Sequence, residues 1–162
     1  MPKITPSLWF DGNAEEAANF YVSLLPDSRI ENVWLSPADN PSTPAGAVLL
    51  VDFTVAGQRF TGINGGPQFP FTEAISFVID CEDQAEVDRL WGVLTADGGS
   101  PGQCGWLKDR FGMSWQIVPR EMGEMLGDPD PERSKRAMEA MLRMTKIELA
   151  EMRRAMAGEP VG

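Results

Sequence analysis

The sequence predicts an α+β fold made of paired βαβββ modules followed by C-terminal helices. Three observations support this prediction. Two stretches 70 residues apart, one from Asn13 and one from Asp83, resemble each other, and strand patterns surround each of them. After residue 127, the strand patterns give way to helix patterns. A strand–helix–strands unit that recurs at a fixed spacing indicates two copies of one supersecondary module. We therefore expect one domain in residues 1–127, with modules in about 1–66 and 67–127, and a helical extension in 128–162.

Each module opens with a strand pattern and the start of a helix. The first helix stretch reads NAEEAANFYVSLL and the second reads DQAEVDRLWGVLT, and the strand patterns ITPSLWFD and AISFVID precede them. In both stretches a glutamate follows the first residue by three positions, the spacing with which a capping box satisfies free amides in the first turn. We therefore predict helices capped by the side chains of Asn13 and Asp83.

Further strand patterns follow each predicted helix. After the first come SRIENVWLS, AVLLVDFTV and QRFTGIN, of which the last two are joined at Ala56-Gly57, a predicted hairpin turn. After the second, only QCGWLKD and MSWQIVP are recognisable, so we expect the second module either to lack one strand or to hold one with a weak pattern. The proline-rich segment 37–46 is expected to form an exposed loop.

The tail is predicted to be helical. Asp130 and Pro131 indicate the cap and first residue of one helix, and Thr145 with Glu148 indicates a capping box for a last helix. The residues expected on the apolar faces are Met138, Met141 and Leu142, then Leu149, Met152 and Met156. Methionines at this spacing usually pack on their own domain or on a dimer mate, and less often form a groove for another protein.

The amino-acid composition restricts the partners that the protein can bind and the compartment in which we expect it. The net charge is −10, and residues 1–127 carry all of it, with 17 acidic and 7 basic residues. Such a surface repels nucleic acids and anionic membranes. No apolar stretch reaches the ~18 residues of a membrane span, and the first residues lack the apolar run of a signal peptide. We expect a cytoplasmic protein that binds neither nucleic acid nor membrane, with Cys81 and Cys104 reduced.

Four stretches together resemble one protein family: SLWFDGNAEEAANFY, GQRFTGINGGPQF, AISFVID and QCGWLKDRFGMSWQIVP. They resemble the PhnB-like branch of the vicinal oxygen chelate superfamily, which has the glyoxalase/bleomycin-resistance/dioxygenase fold. Members of this branch often carry the label 3-demethylubiquinone-9 3-methyltransferase. The resemblance implies two modules curled round a central pocket and a homodimer. The methyltransferase label conflicts with the sequence, which lacks a glycine-rich strand-to-helix turn of the usual methyl-donor kind.

The resemblance also implies metal ligands that this chain lacks. Metal-dependent relatives place histidine and glutamate on pocket-facing strands, and the last glutamate follows an Asp-x-x-Gly turn. Here that turn matches Asp109–Gly112 and Gln116 falls on the glutamate position, while the chain contains no histidine. A glutamine offers a neutral amide oxygen without the charge that holds a divalent ion. We therefore predict no metal and no cofactor. Asp52 and Glu31 are the carboxylates left for an oxygen-only site, and both fit solvent-facing positions better.

The predicted ligand-binding residues are polar or aromatic side chains expected near the pocket. They are Gln116, Asn64, Ser76, Trp9 and Trp106. Alternation along MSWQIVP places Gln116 on the face opposite Trp115 and Ile117. The alternatives are a structural hydrogen bond for Gln116 and core packing for the tryptophans. The stretch INGGPQF lacks both nucleotide-binding glycine patterns and is predicted to be a linking turn.

Cys104 is the one candidate for catalysis, as a nucleophile near Lys108, the closest basic residue in sequence. The alternative is a small buried hydrophobic residue.

Three functions follow from the sequence. The first is metal-free binding of a small molecule in the central cleft, in the manner of bleomycin-resistance proteins. The second is an enzyme that uses an unrecognised oxygen-only metal site, Cys104 or the chemistry of the methyltransferase label. The third is an interaction protein that acts through its C-terminal helices. The ligand is not identified by the sequence.

Overall fold

The computed structural model describes residues 2–159, and the chain divides between Phe71 and Thr72 into two compact units. Each unit has the same order of elements, namely one strand, one helix and three further strands, and the second unit continues into three more helices. The predicted pair of βαβββ modules followed by C-terminal helices is therefore confirmed. No helix among residues 2–159 has the length and apolar character needed to cross a membrane.

The first unit is a four-stranded sheet with one helix. Its elements are β1 (Ser7–Phe10), α1 (Ala14–Val22), β2 (Arg29–Leu35), β3 (Val48–Val55) and β4 (Gln58–Asn64). The strand order is β1-β4-β3-β2, with β1 parallel to β4 and the other pairs antiparallel. Ala56 and Gly57 both have positive φ values, as a two-residue hairpin of type I′ requires, so the predicted turn is confirmed.

Alanines allow α1 to lie close to the first sheet. Ala14, Ala17 and Ala18 are fully buried, and a Cβ at Gly62 of β4 would contact Ala14 at 3.4 Å. The remaining space is filled by aromatic rings, among which Phe53 stacks on Phe60 with ring centroids 5.5 Å apart.

The predicted capping of α1 by Asn13 is wrong. The Asn13 side chain makes no capping hydrogen bond, and the Ala14 amide instead donates to Oδ1 of Asn64 at 2.9 Å. The other half of the Asn64 amide, Nδ2, donates to the carbonyl of Val48 at 2.9 Å. A single buried side chain on β4 therefore joins the start of the helix to the neighbouring strand β3, which a local pattern around Asn13 could not reveal.

The second unit repeats this topology. Its sheet contains β5 (Ser76–Cys81), β6 (Ser100–Pro101), β7 (Trp106–Lys108) and β8 (Ser114–Pro119), in the order β5-β8-β7-β6, and α2 (Gln84–Thr95) follows β5. The strand that the sequence did not show is β6, which has only two residues. Asp83 caps α2 as predicted, since its side chain accepts from the Glu86 amide at 2.9 Å.

A buried carboxylate organises the turn between β7 and β8. Asp109 is 2% exposed, and its Oδ1 accepts from the amides of Phe111 and Met113. Its Oδ2 accepts from the indole Nε1 of Trp115 at 2.9 Å. Gly112 completes the turn with φ 87°. The Asp-x-x-Gly stretch is thus a turn whose aspartate satisfies buried donors at the start of β8.

Three helices complete the second unit. They are α3 (Arg120–Leu126), α4 (Pro131–Met141) and α5 (Leu149–Met156), of which α3 was not predicted. Asp130 caps α4 as expected. The capping box at Thr145 is wrong, because α5 begins at Leu149 and its first amide donates to Oε1 of Gln84, on α2.

The methionines of the last three helices pack mainly within the second unit. Four of them, Met122, Met125, Met152 and Met156, are buried in one cluster with Ala137, Ile147 and Leu149. The apolar face predicted for α4 is only partly correct, since Met141 packs against this cluster but Met138 and Leu142 are exposed. Alanines at 137 and 140 form the buried face instead, because they let α4 approach its neighbours closely.

We predict that Asn64→Ala lowers the free energy of unfolding by about 2–3 kcal/mol, because it leaves a buried amide and a buried carbonyl without their partner. Asn13→Ala is the matched control and is expected to change the free energy of unfolding by less than about 0.5 kcal/mol. Urea unfolding followed by far-UV circular dichroism measures both. Equal losses in the two variants would contradict the assignment of the cap to Asn64.

We also predict that Asp109→Asn destabilises the protein by about 2–3 kcal/mol, since an amide cannot satisfy all three donors that the carboxylate accepts from. Asp80→Asn serves as control, because the ion pair of Asp80 with Arg120 is exposed and the substitution is expected to cost about 1 kcal/mol or less. Chemical denaturation of both variants gives the comparison. A neutral Asp109→Asn substitution would show that the turn does not depend on its carboxylate.

Candidate functional site

One face of the second sheet is polar. On β8, Trp115 and Ile117 are buried, and α2 packs against this strand with fully buried apolar residues. Alternation therefore turns Ser114 and Gln116 to the opposite face, as the sequence predicted. The strand register places Trp106 opposite Gln116 and Lys108 opposite Ser114.

Ser76 and Gln116 lie together on this face. Nε2 of Gln116 donates to Oγ of Ser76 at 2.9 Å, across the parallel pair β5 and β8. This contact is the structural hydrogen bond that the sequence left open as the alternative role of Gln116. Both side chains are half-buried, and the bond fixes the orientation of the Gln116 amide beside Trp106.

A groove of about 580 Å³ opens beside this face. It is lined by Glu73, Ser100, Pro101, Gly102, Gln103, Cys104, Trp106, Leu107, Lys108 and Ser114. Trp106 and Cys104 are the residues predicted from sequence that line it. The volume falls within the range of about 300–1,000 Å³ typical of small-molecule sites.

Ser114 is the most unusual residue of the groove. It is 1% exposed, and its hydroxyl has no hydrogen-bond partner among residues 2–159. Buried hydroxyl groups are nearly always hydrogen-bonded, because an unpaired one loses its interaction with water without compensation. Sequence reasoning placed Ser114 on the correct face but did not single it out, since nothing in the sequence shows that a hydroxyl lacks a partner.

The charged side chains that line the groove pair with each other. Nζ of Lys108 contacts Oε1 of Glu73 in an ion pair whose side chains are 42% and 63% exposed. The hydrogen bond from Lys108 holds the pKa of the Glu73 carboxyl below its usual range. Glu73 precedes β5, in a segment that belongs to no strand or helix.

The two cysteines differ in environment. Cys104 has φ 57°, its amide donates to the Met144 carbonyl at 2.8 Å, and it is half-buried in the groove wall. Cys104 and Lys108 do not lie on one regular strand, because β7 begins only at Trp106. Cys81 is fully buried, and burial raises the pKa of its thiol to about 12, so this thiol is chemically inert near neutral pH.

Trp9 and Asn64 belong to the first unit. The indole Nε1 of Trp9 donates to the Gly66 carbonyl at 2.8 Å, and the ring lies so close to Gly65 that a Cβ there would stand 2.3 Å from it. The glycines of INGGPQF therefore serve to seat this tryptophan. The amide of Asn64 is occupied by the bonds to α1 and β3 described above. Gln116, Ser76, Trp106 and Cys104 all lie in the second unit.

The side chains present do not fit a divalent metal ion. Gln116, on the strand that follows the Asp-x-x-Gly turn, bonds to the Ser76 hydroxyl, and both groups are neutral. In the first unit, the oxygens of Asp52 accept from Thr61 and from the indole of Trp34. No group of three or more histidine, cysteine, aspartate or glutamate residues within 2–159 is arranged to hold a metal ion.

Nor do the strand-to-helix turns fit a methyl donor of the usual kind. The turn between β1 and α1 contains one glycine, Gly12, and the turn between β5 and α2 contains none. Sites that bind a nucleotide-like cofactor at a helix start use glycine-rich turns, which let the backbone approach the cofactor closely.

Comparisons with known proteins support the resemblance seen in the sequence. A family model described as 3-demethylubiquinone-9 3-methyltransferase matches residues 2–118. The matched residues end just before α3, so the helices of the tail lie outside this match. The PhnB protein of Bacillus cereus is 35% identical, with 73% of this chain and 99% of that chain covered and a TM-score of 0.66. No curated protein matches the chain.

Two further solved structures have the same fold at lower identity. Protein PA1353 from Pseudomonas aeruginosa is 24% identical, with 74% and 98% of the two chains covered and a TM-score of 0.57. The fosfomycin resistance protein FosX from Listeria monocytogenes, solved with Mn(II) and sulfate, is 15% identical over 78% of this chain and 98% of its own, with a TM-score of 0.50. The chain thus belongs to the PhnB-like family described as 3-demethylubiquinone-9 3-methyltransferase and has the glyoxalase/bleomycin-resistance fold.

Proposed function

We propose that this protein binds a small organic molecule in the groove of its second sheet and does so without a metal ion. The observation that carries the proposal is the Ser114 hydroxyl, which is buried, unpartnered within residues 2–159 and part of the groove lining. A ligand that hydrogen-bonds to it would supply the partner that the protein does not, so part of the cost of burying the hydroxyl would be recovered on binding.

The other lining residues support an organic ligand. Trp106 offers a large apolar surface that is held beside Gln116 by the strand register. Polar groups of the lining, such as Ser114, Lys108 and Gln103, lie among apolar ones, such as Pro101 and Trp106. Small-molecule sites combine an apolar wall with a few polar groups that fix the orientation of the ligand.

Metal-free binding is supported by the chemistry of the donor groups. Ser76 and Gln116, which are not among the residues that line the groove, supply neutral oxygen and nitrogen atoms and already bond to each other. A hard divalent cation requires several oxygen ligands and charge compensation, which this pair does not provide. The function proposed for the groove therefore relies on hydrogen bonds and apolar contact.

We predict that Ser114→Ala weakens ligand binding while leaving the free energy of unfolding unchanged or raising it by up to about 1 kcal/mol, because it removes an unpaired buried hydroxyl. Ser76→Ala is the matched control: it breaks the bond to Gln116 and is expected to cost about 1 kcal/mol. A fragment library screened by ligand-observed NMR against untagged protein gives the ligands, and urea unfolding gives the stabilities.

Two outcomes of this experiment would overturn the proposed function. One is the absence of any fragment whose binding is weakened in Ser114→Ala. The other is a stoichiometric divalent ion in native mass spectra of the untagged protein, because bound metal would contradict the metal-free site. The tag is omitted because a histidine tag would supply ligands that the chain itself lacks.

A separate prediction concerns the thiol in the groove, which is the group an enzymatic function would use. The Cys104 thiol is expected to react with an aromatic disulfide reagent at pH 8, whereas the fully buried Cys81 stays unreactive because its pKa is raised to about 12. Cys104→Ser should abolish the native reaction, and Cys81→Ser should leave it unchanged. In guanidinium chloride both thiols should react. Fast reaction of two thiols in the native protein would contradict the assignment.

A further inference from the structure

The ion pair between Lys108 and Glu73 indicates what kind of molecule the groove takes. Resting on the proposed function above, we propose that the ligand is a small carboxylate with an apolar body, whose carboxylate replaces that of Glu73 on Lys108. The contact seen in the structure would then be an internal substitute for the ligand, made by a residue of the chain itself.

The position of the pair supports this assignment. Lys108 stands opposite Ser114 in the register of β7 and β8, and both residues line the groove. Residues paired on adjacent strands have Cα atoms about 4.5–5.5 Å apart, so a group that lies over one can reach the other. Glu73 contacts Lys108, but no hydrogen bond joins it to the Ser114 hydroxyl, which has no partner among residues 2–159.

A carboxylate matches these two donors better than other groups. It has two acceptor oxygens on one carbon, so one oxygen can accept from the Lys108 ammonium while the other accepts from the Ser114 hydroxyl. Glu73 already shows that a carboxylate fits against Lys108. A neutral amide has a single acceptor oxygen, which both donors would have to share, and it would gain no charge–charge attraction.

Displacing the Glu73 carboxylate from Lys108 costs little free energy. Its side chain is 63% exposed and that of Lys108 is 42% exposed, so water screens their attraction and the pair adds little to stability. An incoming carboxylate would make the same contact, add the bond to Ser114 and add apolar contact. The acidic remainder of the protein, with a net charge of −10, disfavours nonspecific binding of anions elsewhere.

Trp106 would hold the apolar body of the ligand by packing against it. This residue is two positions before Lys108 on β7, so the two side chains lie on the same face about 7 Å apart. A ring of bicyclic size, attached directly to the carboxylate, spans that distance and can pack on the indole. The inferred class is therefore an aromatic or alicyclic carboxylate of one or two rings.

The test compares 2-naphthoate with 2-naphthamide, which have nearly the same shape but differ in charge, by isothermal titration calorimetry on the untagged full chain. The acid is expected to bind at least tenfold more tightly than the amide. Glu73→Gln removes the internal competitor and should tighten acid binding by up to about fivefold, because an exposed pair competes weakly. Lys108→Met should reduce the affinity for the acid to that for the amide, whereas Lys135→Met, an exposed lysine of α4, should change neither.

Equal affinity for the acid and the amide in Glu73→Gln would overturn the inference, and so would the absence of binding of both compounds to this variant. Neither result bears on the proposed function, which the fragment screen and Ser114→Ala test separately. Failure of this inference can therefore be told apart from failure of the proposed function. If Lys108→Met does not fold, Lys108→Gln replaces it. Acid affinity that does not fall between 20 and 300 mM salt would also contradict a charge contact at this partly exposed site.

Discussion

The parallel pairing of the first and last strands of each module is the constraint on which the rest of the structure depends. β1 pairs with β4 and β5 pairs with β8, so each helix must cross over one face of its sheet to reach the strands that follow. In the second unit α2 buries the face that carries Trp115 and Ile117. The opposite face therefore carries Ser114 and Gln116 together with Trp106 and Lys108, and the register decides which of them become neighbours.

Local patterns predicted much of the fold but failed where a distant residue took over a local role. The repeat, the cap at Asp83 and the Ala56-Gly57 hairpin follow from short-range rules, and all are confirmed. The caps at Asn13 and Thr145 were wrong, because Asn64 and Gln84 supply those hydrogen bonds from other strands and helices. A capping pattern shows that a helix can start but not which side chain satisfies its amides.

The same limit applies to the candidate site. Alternation along β8 was enough to place Gln116 on the open face, and its partner Ser76 was predicted as a nearby residue. The sequence could not show that Ser114 lacks a partner, nor that Glu73 reaches Lys108, because both facts depend on how a loop and two strands meet in space. Charge counts pointed to an acidic protein and so gave no hint of a cationic group in its groove.

The tail has a consequence for the groove that its position in the sequence does not suggest. The carbonyls of Met144 and Thr145 accept from the amides of Cys104 and Gly105, so a segment between α4 and α5 holds part of the groove wall. Gln84 ties the same segment to α2. Substitutions that shift α4 or α5 would therefore alter the shape of the groove without touching a lining residue. Under the proposed function, the tail would thus influence ligand preference while the two sheets stay unchanged.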